Sequence, residues 1–103
     1  MRSIRLSKTF DEQLIAYIDE GARKYGDSVA AEKKALVYKT IERTLALNPA
    51  IKRRNPELGL VVYPISNTPF FVLYDYDDTE LRVHFIFING KALETIAPAS
   101  ASW

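Results

Sequence analysis

Residues 45–90 read LALNPAIKRRNPELGLVVYPISNTPFFVLYDYDDTELRVHFIFING, and the turn signals inside this stretch decide the fold. Residues 58–65, 70–76 and 80–88 are rich in β-branched and aromatic side chains, which suit a pleated, half-buried surface. Between them lie Ser66-Asn67-Thr68-Pro69 and Asp77-Asp78, residue types that favour tight turns. Short turns between neighbouring strands force an antiparallel meander. In the last run, strict alternation puts Leu81, Val83, Phe85 and Phe87 on one face and Arg82, His84, Ile86 and Ile88 on the other. The first set is the expected core face. Upstream, Asn48-Pro49 stops a helix, because the proline ring clashes with a helical residue before it. Residues 49–57 then read as a polar loop.

The N-terminal half supplies what this sheet packs against. Residues 2–6 alternate as a short first strand. Thr9-Phe10-Asp11-Glu12 has capping-box spacing and predicts a helix start at Thr9. Phe10, Leu14, Tyr17, Ile18, Ala22 and Tyr25 follow as one apolar stripe, and Gly26 is suited to end it. Asp27 or Ser28 can cap a second helix, whose inward stripe is Ala30, Val37, Tyr38, Ile41, Thr44 and Leu45. The two-residue link Gly26-Asp27 implies an antiparallel helical hairpin. The order β-α-α-β-β-β therefore predicts an α+β two-layer sandwich, a helical hairpin packed on an antiparallel sheet, over a single domain 1–103. The tail 92–103 is expected to be irregular, with Trp103 docked or frayed.

Bulk properties narrow the chemistry. The chain has 103 residues and no cysteine, so disulfides and thiolate metal sites are excluded. The residues after Met1 lack the apolar core of a signal peptide, and no run approaches the ~18 apolar residues of a membrane helix. These features lead to the expectation of a cytoplasmic protein without membrane contact. Fourteen basic residues against thirteen acidic ones give a net charge of +1, a weak footprint for gripping nucleic acid.

Few side chains point to chemistry. Arg82 and His84, two apart on one strand, share a face and form a weak phosphate-binding or proton-transferring pair beside the plainer reading of a solvated edge. Lys52-Arg53-Arg54 is a cationic stretch able to catch carboxylates or phosphates. Tyr63, Tyr74 and Tyr76 are candidate stacking platforms on an open sheet face. Asp75, Asp77 and Asp78 read as turn and strand residues, so no metal site is expected. Ser7 and Ser66 have no relay for nucleophilic chemistry, and the four glycines form no phosphate loop. No cofactor is expected.

The ordered combination of Ile4-Arg5-Leu6-Ser7, Leu45-Ala46-Leu47-Asn48-Pro49, Pro56-Glu57-Leu58-Gly59, Tyr63-Pro64-Ile65, Val72-Leu73-Tyr74 with Asp77-Asp78, and Ile88-Asn89-Gly90-Lys91 resembles the ParE/RelE superfamily of bacterial toxins. The likeness spans roughly residues 3–93. It implies a toxin from a type II toxin–antitoxin pair, in the setting of plasmid stabilisation, with a cognate antitoxin as partner. Many members carry an Arg where Ser66-Asn67-Thr68 stands here. Many also carry an Arg and a His at the positions of Ile86 and Asn89. These departures place the resemblance nearer the ParE branch, which binds DNA gyrase, than the RNA-cutting RelE branch. On that reading Lys52, Arg53, Arg54, Tyr63, Asn67 and Tyr74 are partner- or nucleic-acid-binding residues, and a homodimer is left open. The alternative is an mRNA endoribonuclease working on RNA or the ribosome through Arg82, His84 and Lys91. A further alternative is a non-toxic binding module on the same fold.

Overall fold

Ser7 is where the chain turns from sheet to helix. A computed structural model describes residues 2–88 and 101–103. In it β1 (Ser3–Leu6) runs parallel to the last strand, with Leu6 opposite Val83. The chain then turns into α1 (Lys8–Tyr25). The Ser7 hydroxyl accepts a hydrogen bond from the Phe10 amide at 2.8 Å and donates one to the His84 carbonyl at 2.6 Å. Ser7 rather than Thr9 is therefore the N-cap, and the helix starts earlier than the capping-box spacing predicts. Pairing of β1 ends at Leu6, so Ser7 is the residue placed to serve both partners.

Gly26, with φ 95°, is at once the end of α1 and the start of α2 (Asp27–Thr40), a backbone conformation that favours glycine. α2 runs on into a π-helical turn, Ile41–Leu45, whose signature is the Ala46 amide bonded to the Ile41 carbonyl. Asn48 leaves helical geometry and the buried Pro49 opens a short 3₁₀ turn, Pro49–Ile51. Residues 49–57 are thus more ordered than a loop. They also contain β2 (Arg54–Asn55), which pairs antiparallel with β3 (Leu60–Pro64).

The remaining strands are β4 (Phe70–Tyr76) and β5 (Glu80–Ile88), and the sheet order is β1-β5-β4-β3-β2. The meander β3-β4-β5 is antiparallel, as its short turns require, whereas β1 adds in parallel and makes the sheet mixed. The helices cover one face. Phe10, Leu14, Val37, Ile41 and Leu45 meet Val61, Val72, Tyr74, Leu81, Val83 and Ile86 in the main core.

The face assignment within β5 needs correction. A register shift lies between Leu73 and Tyr74: Leu73 opposes Phe85 while Tyr74 opposes Val83. His84 is the extra residue of a β-bulge, which inverts the alternation beyond it. Leu81 and Val83 face the helices as expected, but so does Ile86. Phe85 joins Phe71 and Leu73 in a second buried cluster on the opposite face, with Phe87, Leu58, Leu60 and Val62 packed against it. The bulge leaves the β5 edge beyond β1 in need of partners, and α1 supplies them. Ser7 takes the His84 carbonyl, and the Gln13 side-chain oxygen accepts from the Ile86 amide at 2.9 Å. Buried backbone groups without partners would be costly.

Candidate functional site

The reverse face of the sheet carries a charged cluster where β4 and β5 meet. Asp75 and Arg82 oppose each other across the two strands. The Arg82 guanidinium grips the Asp75 carboxylate bidentately, with both bonds at 3.0 Å. It also donates to Asp77 at 3.0 Å and to Glu80 at 3.1 Å. Three carboxylates around one guanidinium raise the Arg82 pKa far above its usual value, Asp75 contributing most. Asp77 is held well below the normal carboxylate range, first by the Thr79 amide and then by Arg82. Burial by itself would raise Asp75, but hydrogen bonds from Arg82 and His84 bring it below its usual value. His84 Nε2 lies 2.9 Å from Asp75 Oδ1, and its ring meets the Trp103 ring edge-on, with centroids 4.8 Å apart.

These contacts recast the expected site. Arg82 and His84 do share a face, yet Arg82 is committed to carboxylates and presents a locally acidic surface to any phosphate. Tyr74 is not on an open face. It is fully buried in the main core, its hydroxyl donating to the Pro49 carbonyl at 2.7 Å. Tyr63 and Tyr76 also pack, half-buried, against the helix-side core. Asn67 sits at φ 64° in the β3–β4 turn, and its carbonyl accepts from Lys33 Nζ at 2.5 Å, so the structure gives it a turn-forming part. Lys52 and Arg53 are exposed between the 3₁₀ turn and β2. Arg54 donates to the Tyr76 carbonyl at 3.0 Å and lies over the Tyr76 ring at 4.7 Å, where the Arg2 guanidinium also sits, at 5.8 Å. Ile86, the position at which the resemblance leads one to expect an Arg, is buried in the core because of the bulge. Lys91 and Asn89 lie outside the described residues.

The site that sequence reasoning missed is a groove at the tip of the helical hairpin, of about 300 Å³. Tyr17, Ala30, Phe70 and Ile88 line it, with the Tyr17 and Phe70 ring centroids 5.7 Å apart. Tyr25 and Val29 flank the Gly26 turn and also line the groove; Tyr25 is 70% exposed. Lys24 is paired with Glu20 at 3.0 Å, and Lys33 bonds only to a neutral carbonyl among the described residues. An apolar trough whose margin carries the Glu20–Lys24 pair and Lys33 suits an amphipathic segment better than a polynucleotide. Tyr25, expected to close the core stripe of α1, lines this groove instead, because the stripe passes out of contact with the sheet at the helix end.

Two helices on one face of a mixed five-stranded sheet make up this α+β fold, and a solved structure shares it. Among solved structures, the chain is similar to a chain of the chromosomal ParDE TA system from P. aeruginosa, with a TM-score of 0.74 and 17% identity, covering 85% of this chain and 96% of that one. No protein-family model matches the chain, and no curated protein matches its sequence.

Proposed function

We propose that this chain is the toxin of a type II toxin–antitoxin pair, held inactive by a cognate antitoxin and acting by binding a protein target, DNA gyrase, in the cytoplasm. The fold correspondence carries the reading, since it takes in nearly the whole of a chain from a ParDE system. The hairpin groove supports it by offering an antitoxin segment an apolar seat beside Lys33. A binding mode rather than catalysis is favoured by Arg82, whose donors are spent on Asp75, Asp77 and Glu80 instead of being free to stabilise a phosphate in flight.

Expression of the chain alone in a bacterium tests this. Growth arrest with altered plasmid supercoiling, relieved by co-expressing the protein from a small neighbouring reading frame, is the expected result. Unimpaired growth at high expression would overturn the toxin reading. RNA cleavage by the purified chain that is lost in an Arg82→Ala, His84→Ala double variant would replace the gyrase reading with the ribonuclease one.

A further inference from the structure

The last three residues are docked rather than loose, and their seat is built from three elements. Two of the first amides of α1, from Lys8 and Thr9, donate to the Ser102 carbonyl at 2.6 and 3.4 Å. The Ser102 amide donates to Thr9 Oγ1 at 2.8 Å. With Ser7 taking the Phe10 amide, the free donors that open α1 are satisfied by one capping side chain and one peptide from the far end of the chain. Trp103 then lies against His84, ring planes 87° apart, with the Arg5 guanidinium of β1 over its ring at 5.0 Å. Ala101 packs on the Phe71, Leu73 and Phe85 cluster. The contacts are specific, yet Ser102 is exposed and Trp103 is 37% exposed. Exposed hydrogen bonds of this kind contribute little net stability, and tethering supplies the local concentration that keeps such a segment seated.

We propose that the first turn of α1, Arg5 and the Asp75–His84 pair form a seat for an extended peptide carrying an aromatic residue, that residues 101–103 fill it in cis, and that this docking masks the reverse sheet face around His84. The masking rests on the toxin reading above; the seat does not. A trans occupant must offer a carbonyl to the Lys8 and Thr9 amides, an N–H to the Thr9 hydroxyl and a ring between Arg5 and His84. An extended peptide has all three. The charged groups around His84 are Asp75 from β4, Arg82 from β5 and Arg5 from β1, and their mixed signs do not favour a polyanion there.

The chain has one histidine and one tryptophan, so both sides of the contact can be read without ambiguity. In the purified protein, carbethoxylation of His84 by diethyl pyrocarbonate should run several-fold faster in Trp103→Ala and in a chain ending at residue 100. Arg5→Ala, which leaves Trp103 in place, should give a smaller increase and a shift in tryptophan emission. Wild-type rates in the first two variants would overturn the seat. The tripeptide Ala-Ser-Trp added to the shortened chain, which lacks any other tryptophan, should restore protection of His84 and show a rise in fluorescence anisotropy, while Ala-Ser-Ala should do neither. Equal protection by both peptides, or by neither, would also overturn it. In cells, the shortened chain should arrest growth at a several-fold lower level of induction. Unchanged potency with faster His84 modification would overturn the masking alone. Absence of arrest from both chains would remove the toxin reading, while the His84 rates would still stand as the measure of the seat.

Discussion

At the scale of single residues, Tyr74 and Arg82 exchange the parts that their positions in the sequence suggest. Tyr74, on an aromatic strand, looks like a surface platform, but it is fully buried and bonded to the Pro49 carbonyl. Tyr74→Phe should cost about 1–2 kcal/mol in urea unfolding, because the carbonyl loses its buried donor. Burial pushes the Tyr74 hydroxyl up to about 12, with Tyr76 and Tyr63 adding to the shift and Arg54 opposing it. In the unfolded chain a tyrosine ionises near pH 10, so stability is complete below that value and is lost as pH rises toward 12, by about 2–3 kcal/mol. Tyr74→Phe should flatten this alkaline decline. A residual slope should remain, since burial also raises Tyr17 and Tyr38. Arg82 looks like a free functional cation and instead neutralises three carboxylates. Arg82→Ala should destabilise the fold at neutral pH by about 1–3 kcal/mol, and lysine should rescue it only in part, lacking the bidentate fork. Asp75, whose folded pKa is depressed, contributes stability above the unfolded value of 3.8 that is lost as pH falls through the lower folded one. Acid titration followed by circular dichroism should therefore show a larger contribution in the parent than in Arg82→Ala, where His84 alone still holds the carboxylate.

At the scale of elements, the junction of β1, α1 and the β5 bulge is the least redundant part of the fold. One hydroxyl, that of Ser7, caps the helix and satisfies the carbonyl that the bulge turns outward. Ser7→Ala should cost about 2–3 kcal/mol, combining loss of a cap with an unpaired buried carbonyl. Ser7→Thr, which keeps the hydroxyl, should cost less, and amide exchange in the first turn of α1 should follow the same order. An Ala variant as stable as the parent would contradict this reading. Much of the element structure was legible in the sequence. Both helices, the Gly26 hinge, the Pro49 stop and the three meander strands follow from periodicity and turn chemistry acting over a few residues. The bulge was not. A period of two carries no mark of an inserted residue when both neighbours, His84 and Phe85, can sit on either face. That single insertion moved Ile86 into the main core and Phe85 and Phe87 to the reverse face.

At the scale of the whole molecule, the parallel pairing of β1 with β5 brings sequence-distant residues together and replaces the long β5 edge of the sheet by the four-residue β1. A chain beginning at Ser7 would leave the β5 backbone edge unpaired. It should shift to larger species in size-exclusion chromatography than the full chain, because a long unpaired edge templates association better than a short one. A shortened chain eluting as the full one does would argue that α1 alone guards that edge. The same pairing places Arg5 and the start of α1 beside His84, and so creates the place where Trp103 rests. The β4–β5 register, which pairs Phe70 with Ile88, sets both under the hairpin tip to line the groove.

By itself, the sequence determined the fold class, the helical hairpin and the antiparallel meander, since propensity, capping and turn geometry act between near neighbours. Only the tertiary structure decided the parallel edge strand, the bulge at His84, the engagement of Arg82 and the docking of residues 101–103. Their partners lie from two residues apart, as Glu80 and Arg82 do, to 93 apart, as Thr9 and Ser102 do, and which partner satisfies a given backbone group or charge is settled by competition within the packed molecule.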